Sequence, residues 1–165
     1  MFTNTAVALP LKKRALRGRR LVAVDIENCI GGAVLTTSAA SWAHETVLRE
    51  LSCATDQVVI GVSHVGLVET ATAWPGARVV VRSGRDGADK ALLDVLEHEG
   101  IAARFDEVIL FSGDGIFTNA VAALAAAGVR VTVIGHQGHV AARLRIAAAE
   151  TRYIGTARTN LGGAA

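Results

Sequence analysis

The chain has 165 residues, 51% of them hydrophobic and 19% charged, with a formal net charge of +2. That length fits one domain with its own core, and that apolar content excludes a disordered chain. No apolar run approaches the ~20 residues of a membrane span, and none long enough for a secretory signal follows the basic N-terminal residues.

The charge is uneven. Residues 1–20 hold Lys12, Lys13, Arg14, Arg17, Arg19 and Arg20 and no acid, which leaves 11 basic against 15 acidic residues, net −4, in the rest. A basic arm can bind nucleic acid by counterion release, or be a solvated end. Residues 1–18 are expected to be a flexible arm, 19–155 the domain and 156–165 a loose tail. Aromatics are 4% of the chain, too few for a stacking platform along single-stranded nucleic acid. The two cysteines, Cys29 and Cys53, make neither a disulfide framework nor a CxxC metal site. Ordinary buried thiols in a reducing cytoplasm are expected.

Hydrophobic periodicity sets out an alternation of elements. RLVAVDI, 20–26, reads as a buried strand. Residues 36–51 read as a helix whose apolar contacts come from Trp42, Val47, Leu48 and Leu51. Residues 56–64 are a second strand and 65–74 a short helix closed by Pro75-Gly76. ARVVVRS, 77–83, is the third strand, followed by a helix over 86–100 that stops at Gly100. EVILFS, 107–112, is the fourth strand, with a helix over 115–128. VRVTVIG, 129–135, is the fifth strand. A long helix over 139–151 follows, and RYIG adds a short edge strand. Strands alternating with helices predict an α/β sandwich around a mainly parallel sheet of five or six strands. Ligands then bind beyond the carboxyl ends of the strands, where the strand order reverses.

Three acids fall at that edge. Asp25 ends the first strand, Asp114 follows the fourth, and Asp89 sits in the first turn of the helix after the third. Converging carboxylates repel and stay ionised together most easily around a cation. Oxygen-only ligands suit Mg²⁺ or Mn²⁺, which can activate water and stabilise the leaving oxygen of a phosphodiester. Plainer roles stand beside these. Asp114 fits a helix N-cap. Asp89, and more so Asp86, fit the dipole of a helix start. Asp25 is harder to dismiss in this way, because a carboxylate after four apolar strand residues needs a partner. Asn28 is either a turn residue or an orienter of Asp25. Glu27 points into the cleft or to solvent with equal weight, and Asp94 is placed in solvent. Among the histidines, His64 lies nearest the edge. His136 and His139 flank a turn with no Cys or acid to complete a zinc set. Ser112 and Thr118 have hydroxyls within reach of the cluster.

These motifs in this order resemble the NYN domains, a branch of the PIN-like ribonucleases. VAVDIEN is similar to the opening DxxN motif and GADKALLDVL to the second. ILFSGDGIFTNAVAALAAAGVRVTVIG is similar to the SGDxDF motif with its helix and strand, and HVAARLRIAAAETRYI to the closing helix and strand. The resemblance runs from about Leu21 to Ile154. It implies a three-layer PIN-like sandwich, metal-dependent RNA cleavage, Mg²⁺ or Mn²⁺ at Asp25, Asp89 and Asp114, and a functional role for Asn28. RNA is the implied partner, with no membrane, and a homodimer is left open. One position departs: the second acid of SGDxDF is Ile116 here. Glu27 is the nearest acid that could compensate. The loss weakens the expected metal site and leaves open an RNA-binding or adaptor protein without cleavage.

A phosphohydrolase of the haloacid dehalogenase type is a rival, with Asp25 as nucleophile and Lys90 as its charge partner. Against it, position 27 is Glu, position 29 is Cys, and 118 or 119 lacks the trailing acid. The GDG loop is also similar to lipid and NAD kinases, whose chains are larger and lack the DxxN strand. A plain Rossmann dinucleotide binder lacks support, since no GxGxxG follows the first strand.

Overall fold

The computed structural model describes residues 18–51 and 56–155. Its strands are β1 (Arg20–Asp25), β2 (Gln57–Val62), β3 (Arg78–Val81), β4 (Glu107–Phe111), β5 (Arg130–Gly135) and β6 (Glu150–Tyr153). They form one sheet in the order β3-β2-β1-β4-β5-β6, and every pairing is parallel. The order reverses between β1 and β4, the two strands followed by Asp25 and by Ser112–Asp114.

Side-chain alternation along β1 divides the core in two. Leu21 and Ala23 face one side, with Val108 and Leu110 of β4 and Val131 and Val133 of β5. Val22 and Val24 face the other, with Ile60 and Val62 of β2 and Ile109 and Phe111 of β4. The first side is covered by α4 (Gly87–His98), α5 (Ile101–Arg104), α6 (Thr118–Ala126) and α7 (Ala142–Ala147). The second is covered by α1 (Ile26–Ile30), α2 (Thr37–Glu50) and α3 (Leu67–Ala73). The result is the three-layer α/β sandwich expected of a PIN-like domain, with six strands and no antiparallel pair.

Several elements differ from the sequence reading. The five-residue α1 and four-residue α5 read as loops, because neither is long enough to show a helical period. In α2 the buried side chains are Ala40, Ala43, Thr46 and Val47, while Trp42 and Leu48 are 42% and 49% exposed. The small residues let the helix lie close to the sheet, and the large ones flank the contact. The helix expected over 139–151 is only α7. Ala149 N–H donates to the Val131 carbonyl at 2.9 Å, so pairing with β5 draws the chain into β6. Among the described residues no helix is long and apolar enough to cross a membrane.

Arg19 and Arg20 are grouped by charge with the basic arm, yet Arg20 is the first residue of β1, as the strand expected over 20–26 requires. Its guanidinium is bound by Asp56, with Glu107 at 4.0 Å. Arg19 lies over the Phe105 ring, 5.2 Å from its centre. Both belong to the folded domain at the amino edge of the sheet. Lys12, Lys13, Arg14, Arg17 and Cys53 lie outside the described residues, as do residues 156–165.

Candidate active site

Asp25 is next in the odd-numbered series after Leu21 and Ala23, so the β alternation turns it toward the layer containing α4. It is 2% exposed. Asp89 lies three residues before Leu92 and seven before Leu96, on the helix face those two bury. The first turn of α4 therefore carries its carboxylate onto the same side of the sheet, against Asp25. Gly61 permits the approach. It is the register partner of Asp25 on β2, and a Cβ there would stand 2.7 Å from the Ala88 carbonyl oxygen.

The two carboxyl groups are within hydrogen-bonding contact. Burial, then the charge of Asp89, holds the Asp25 carboxyl well above the ordinary carboxylate range. Asp89 is also raised, first by burial and then by the charges of Asp114, Asp86 and Glu27, while its bond with Asp25 works the other way. The Asp25–Asp89 pair favours holding a proton between them, because no cationic side chain forms an ion pair with either among the described residues.

The surrounding bonds fix Asp25. Ser112 Oγ donates to its Oδ2 at 2.8 Å and accepts from Asp114 N–H at 3.1 Å. Asn28 N–H donates to its Oδ1 at 3.2 Å, so Asp25 caps α1. Asn28 is thus an orienter through its backbone. Its side-chain Oδ1 accepts from Gly113 N–H at 2.8 Å, tying α1 to the loop after β4. Glu27 turns toward the cleft, where Ser63 N–H donates to its Oε1 at 3.3 Å. Asp114 is exposed and takes its N-cap role: Ile116 N–H donates to its Oδ1 at 2.8 Å, opening the 3-10 turn Gly115–Phe117.

Asp25, Asp89, Asp114, Glu27 and Asn28 line one cleft of about 760 Å³ at the carboxyl edge. Beside Ile30 and Gly31 of the α1 end, three residues the sequence reading left unassigned also line it: His136, Gln137 and His139, in the turn after β5. His136 Nε2–H donates to the Cys29 carbonyl at 2.8 Å, and Ala141 N–H donates to the Gly113 carbonyl at 2.9 Å. The turn is thereby fastened to both α1 and the Asp114 loop. Its place after a strand at the carboxyl edge was the available signal. His64, the histidine set nearest the edge, is an exposed residue of a 3-10 turn (His64–Gly66) and does not line the cleft. Thr118 Oγ1 donates to the Gly115 carbonyl at 2.7 Å, so it braces the loop and does not bond a carboxylate. Ile116 packs half-buried against the core beside Phe117 and stays out of the cleft. Asp94 is exposed, as expected, and pairs with Arg82. The Cys29 thiol, buried under the cleft, is pushed up to about 12 by burial and then by Asp25.

Among the described residues no three His, Cys, Asp or Glu side chains are gathered into a ready ligand set. The contact is a pair, with Asp114 and Glu27 farther off. A pair suits a magnesium-like ion, which keeps several waters and takes one or two carboxylates plus substrate phosphate oxygens. Lys90 does not serve Asp25 as the phosphohydrolase reading requires. Its Nζ donates to the Arg85 carbonyl at 3.2 Å and lies 4.0 Å from Asp86.

Comparison with known proteins bears on the fold and the family. A crystal structure of a Vibrio parahaemolyticus protein of unknown function shares the fold with a TM-score of 0.55 at 20% identity, covering 82% of this chain and 92% of that one. No curated protein matches the chain in sequence. The NYN domain family matches residues 21–155. With β1 through β6, Asp25, Asp89 and Asp114 all inside that span, the chain belongs to the NYN domain family of the PIN-like ribonuclease superfamily.

Proposed function

We propose that the protein is a divalent-metal-dependent ribonuclease that hydrolyses RNA phosphodiester bonds at the Asp25–Asp89 pair. The observation that carries this reading is a buried carboxylate in contact with a second one, with no cation paired to either among the described residues. Structural ion pairs neutralise buried acids; an uncompensated pair is an arrangement suited to receiving a cation. Asp25 and Asp89 would hold Mg²⁺ or Mn²⁺, with Asp114 and Glu27 at the periphery. The bound ion supplies Lewis-acid stabilisation of phosphate oxygens and a water of lowered pKa. Ser112 and the Asn28 N–H keep the Asp25 oxygens in place. Asn28 also fixes Gly113, and so the loop carrying Asp114.

RNA binding without cleavage is the second reading, and Ile116 is the observation that favours it. That side chain fills the family's acidic position with an apolar group packed on the core. A Mn²⁺ titration of single-stranded RNA cleavage separates the two. Under the nuclease reading, wild type cleaves weakly at millimolar metal, chelation stops it, Asp25→Asn or Asp89→Asn abolishes it, and Asp114→Asn lowers it. Ile116→Asp lowers metal-free stability by about 1–3 kcal/mol, since a charge enters an apolar seat, and leaves cleavage at limiting metal unchanged, because that side chain lies out of the cleft. RNA binding with no cleavage at any metal concentration would install the adaptor reading.

A further inference from the structure

Gly115 follows Asp114, and the space its side chain would take is occupied. A Cβ built there would stand 2.6 Å from Nε and 2.7 Å from a terminal nitrogen of Arg143. Glycine at 115, the variable position of the motif, therefore makes a seat in the loop, and the guanidinium of α7 lies in it. Arg143 is exposed and, among the described residues, forms no ion pair. Arg78, Arg82 and Arg152, by contrast, each face a carboxylate.

The cleft itself is lined by four acids and by no Lys or Arg. A polyanion approaching it meets repulsion except where a cation stands beside it. Arg143 lies against Gly115, the residue that follows Asp114, an acid that lines the cleft. A planar guanidinium matches two phosphate oxygens at once, and one already seated loses less freedom on binding than a loose side chain.

We infer that Arg143 binds a backbone phosphate of the single-stranded RNA entering the cleft, a neighbour of the phosphate presented to Asp25 and Asp89. This rests on reading the cleft as an RNA site. It assigns Arg143 to substrate binding and gives it no part in breaking the bond.

The test uses the full chain and a 5′-fluorescein single-stranded RNA, with binding followed by anisotropy in EDTA across a salt series. Cleavage of the same RNA in Mn²⁺ is measured in parallel. Arg143→Ala is expected to weaken binding about tenfold at low salt and to reduce the slope of log K against log salt by ~0.7, one single-strand phosphate contact. Arg143→Lys is expected to restore the slope. Equal affinity and slope for wild type and Arg143→Ala would overturn the inference, and cleavage by wild type would leave the nuclease reading standing. Arg143-dependent binding without any cleavage would uphold the inference and overturn the nuclease. Absence of both RNA binding and cleavage by wild type would overturn both.

Discussion

Asp25 sits where a carboxylate is hardest to keep charged, buried behind Val24 and touching Asp89. Its pKa is raised on folding, so its contribution to stability is fully present below the unfolded pKa and is lost as pH rises through the folded one. At neutral pH the metal-free protein is held below its attainable stability. Asp25→Asn removes that loss while keeping an acceptor for Ser112 or Asn28. The variant is expected to melt higher than metal-free wild type at pH 7–8, by roughly 2–4 °C for each kcal/mol relieved. The difference should shrink toward pH 4, and a pH-independent or negative difference, read by calorimetry, would contradict the assigned strain. At this scale the sequence was legible where chemistry and position coincide. Asp25, Asp89 and Asp114 each follow a recognisable strand and do line the cleft. Glu27 was undecidable because one turn of α1 sets its direction. His136 was missed because its wall role depends on Cys29, 107 residues away.

The elements place these side chains through close contacts that only small residues allow. Gly61 on β2 lets α4 lie against the sheet, and α4 delivers Asp89. Gly61→Ala puts a methyl 2.7 Å from the Ala88 carbonyl oxygen, and a backbone atom does not yield cheaply. The helix start must move outward. The expected cost is about 1–3 kcal/mol from overpacking, with metal-dependent cleavage falling at least tenfold as Asp89 withdraws. Denaturant melts and cleavage rates check the two effects separately. Unchanged cleavage in a destabilised variant would show that Asp89 need not touch Asp25. The inner strands were readable because β-branched runs such as VVI and VTV bounded by turns have few alternatives. The end of the chain was not. An alanine-rich stretch promotes helix, yet the unpaired edge of β5 competes for it and ends α7 at Ala147.

Over the whole molecule, the parallel sheet separates two charged regions. Acids gather at the carboxyl edge. Arg19 and Arg20, which root the N-terminal segment, stand at the amino edge, about 16 Å away along β1 at ~3.3 Å per residue. Deleting residues 1–17 is expected to weaken binding of long RNA and lower its salt slope, while kcat on a short oligonucleotide stays within about twofold, because phosphate contacts position without specifying. A large loss of kcat on the short substrate would place the arm in the cleft. The charge asymmetry was plain in the sequence; that its root lies on the far side of the sheet from the acids was not, since this depends on strand direction. The proposed chemistry depends on Asp25 and Asp89 being held together to receive a divalent cation, and isothermal titration of Mn²⁺ into the metal-free protein tests that most directly. In two buffers of different ionisation enthalpy, wild type is expected to bind Mn²⁺ saturably and to release the proton the pair shares, increasingly so as pH falls. Asp25→Asn and Asp89→Asn should each lose that binding and that proton. Mn²⁺ binding of equal strength in either variant, or none in wild type, would contradict it.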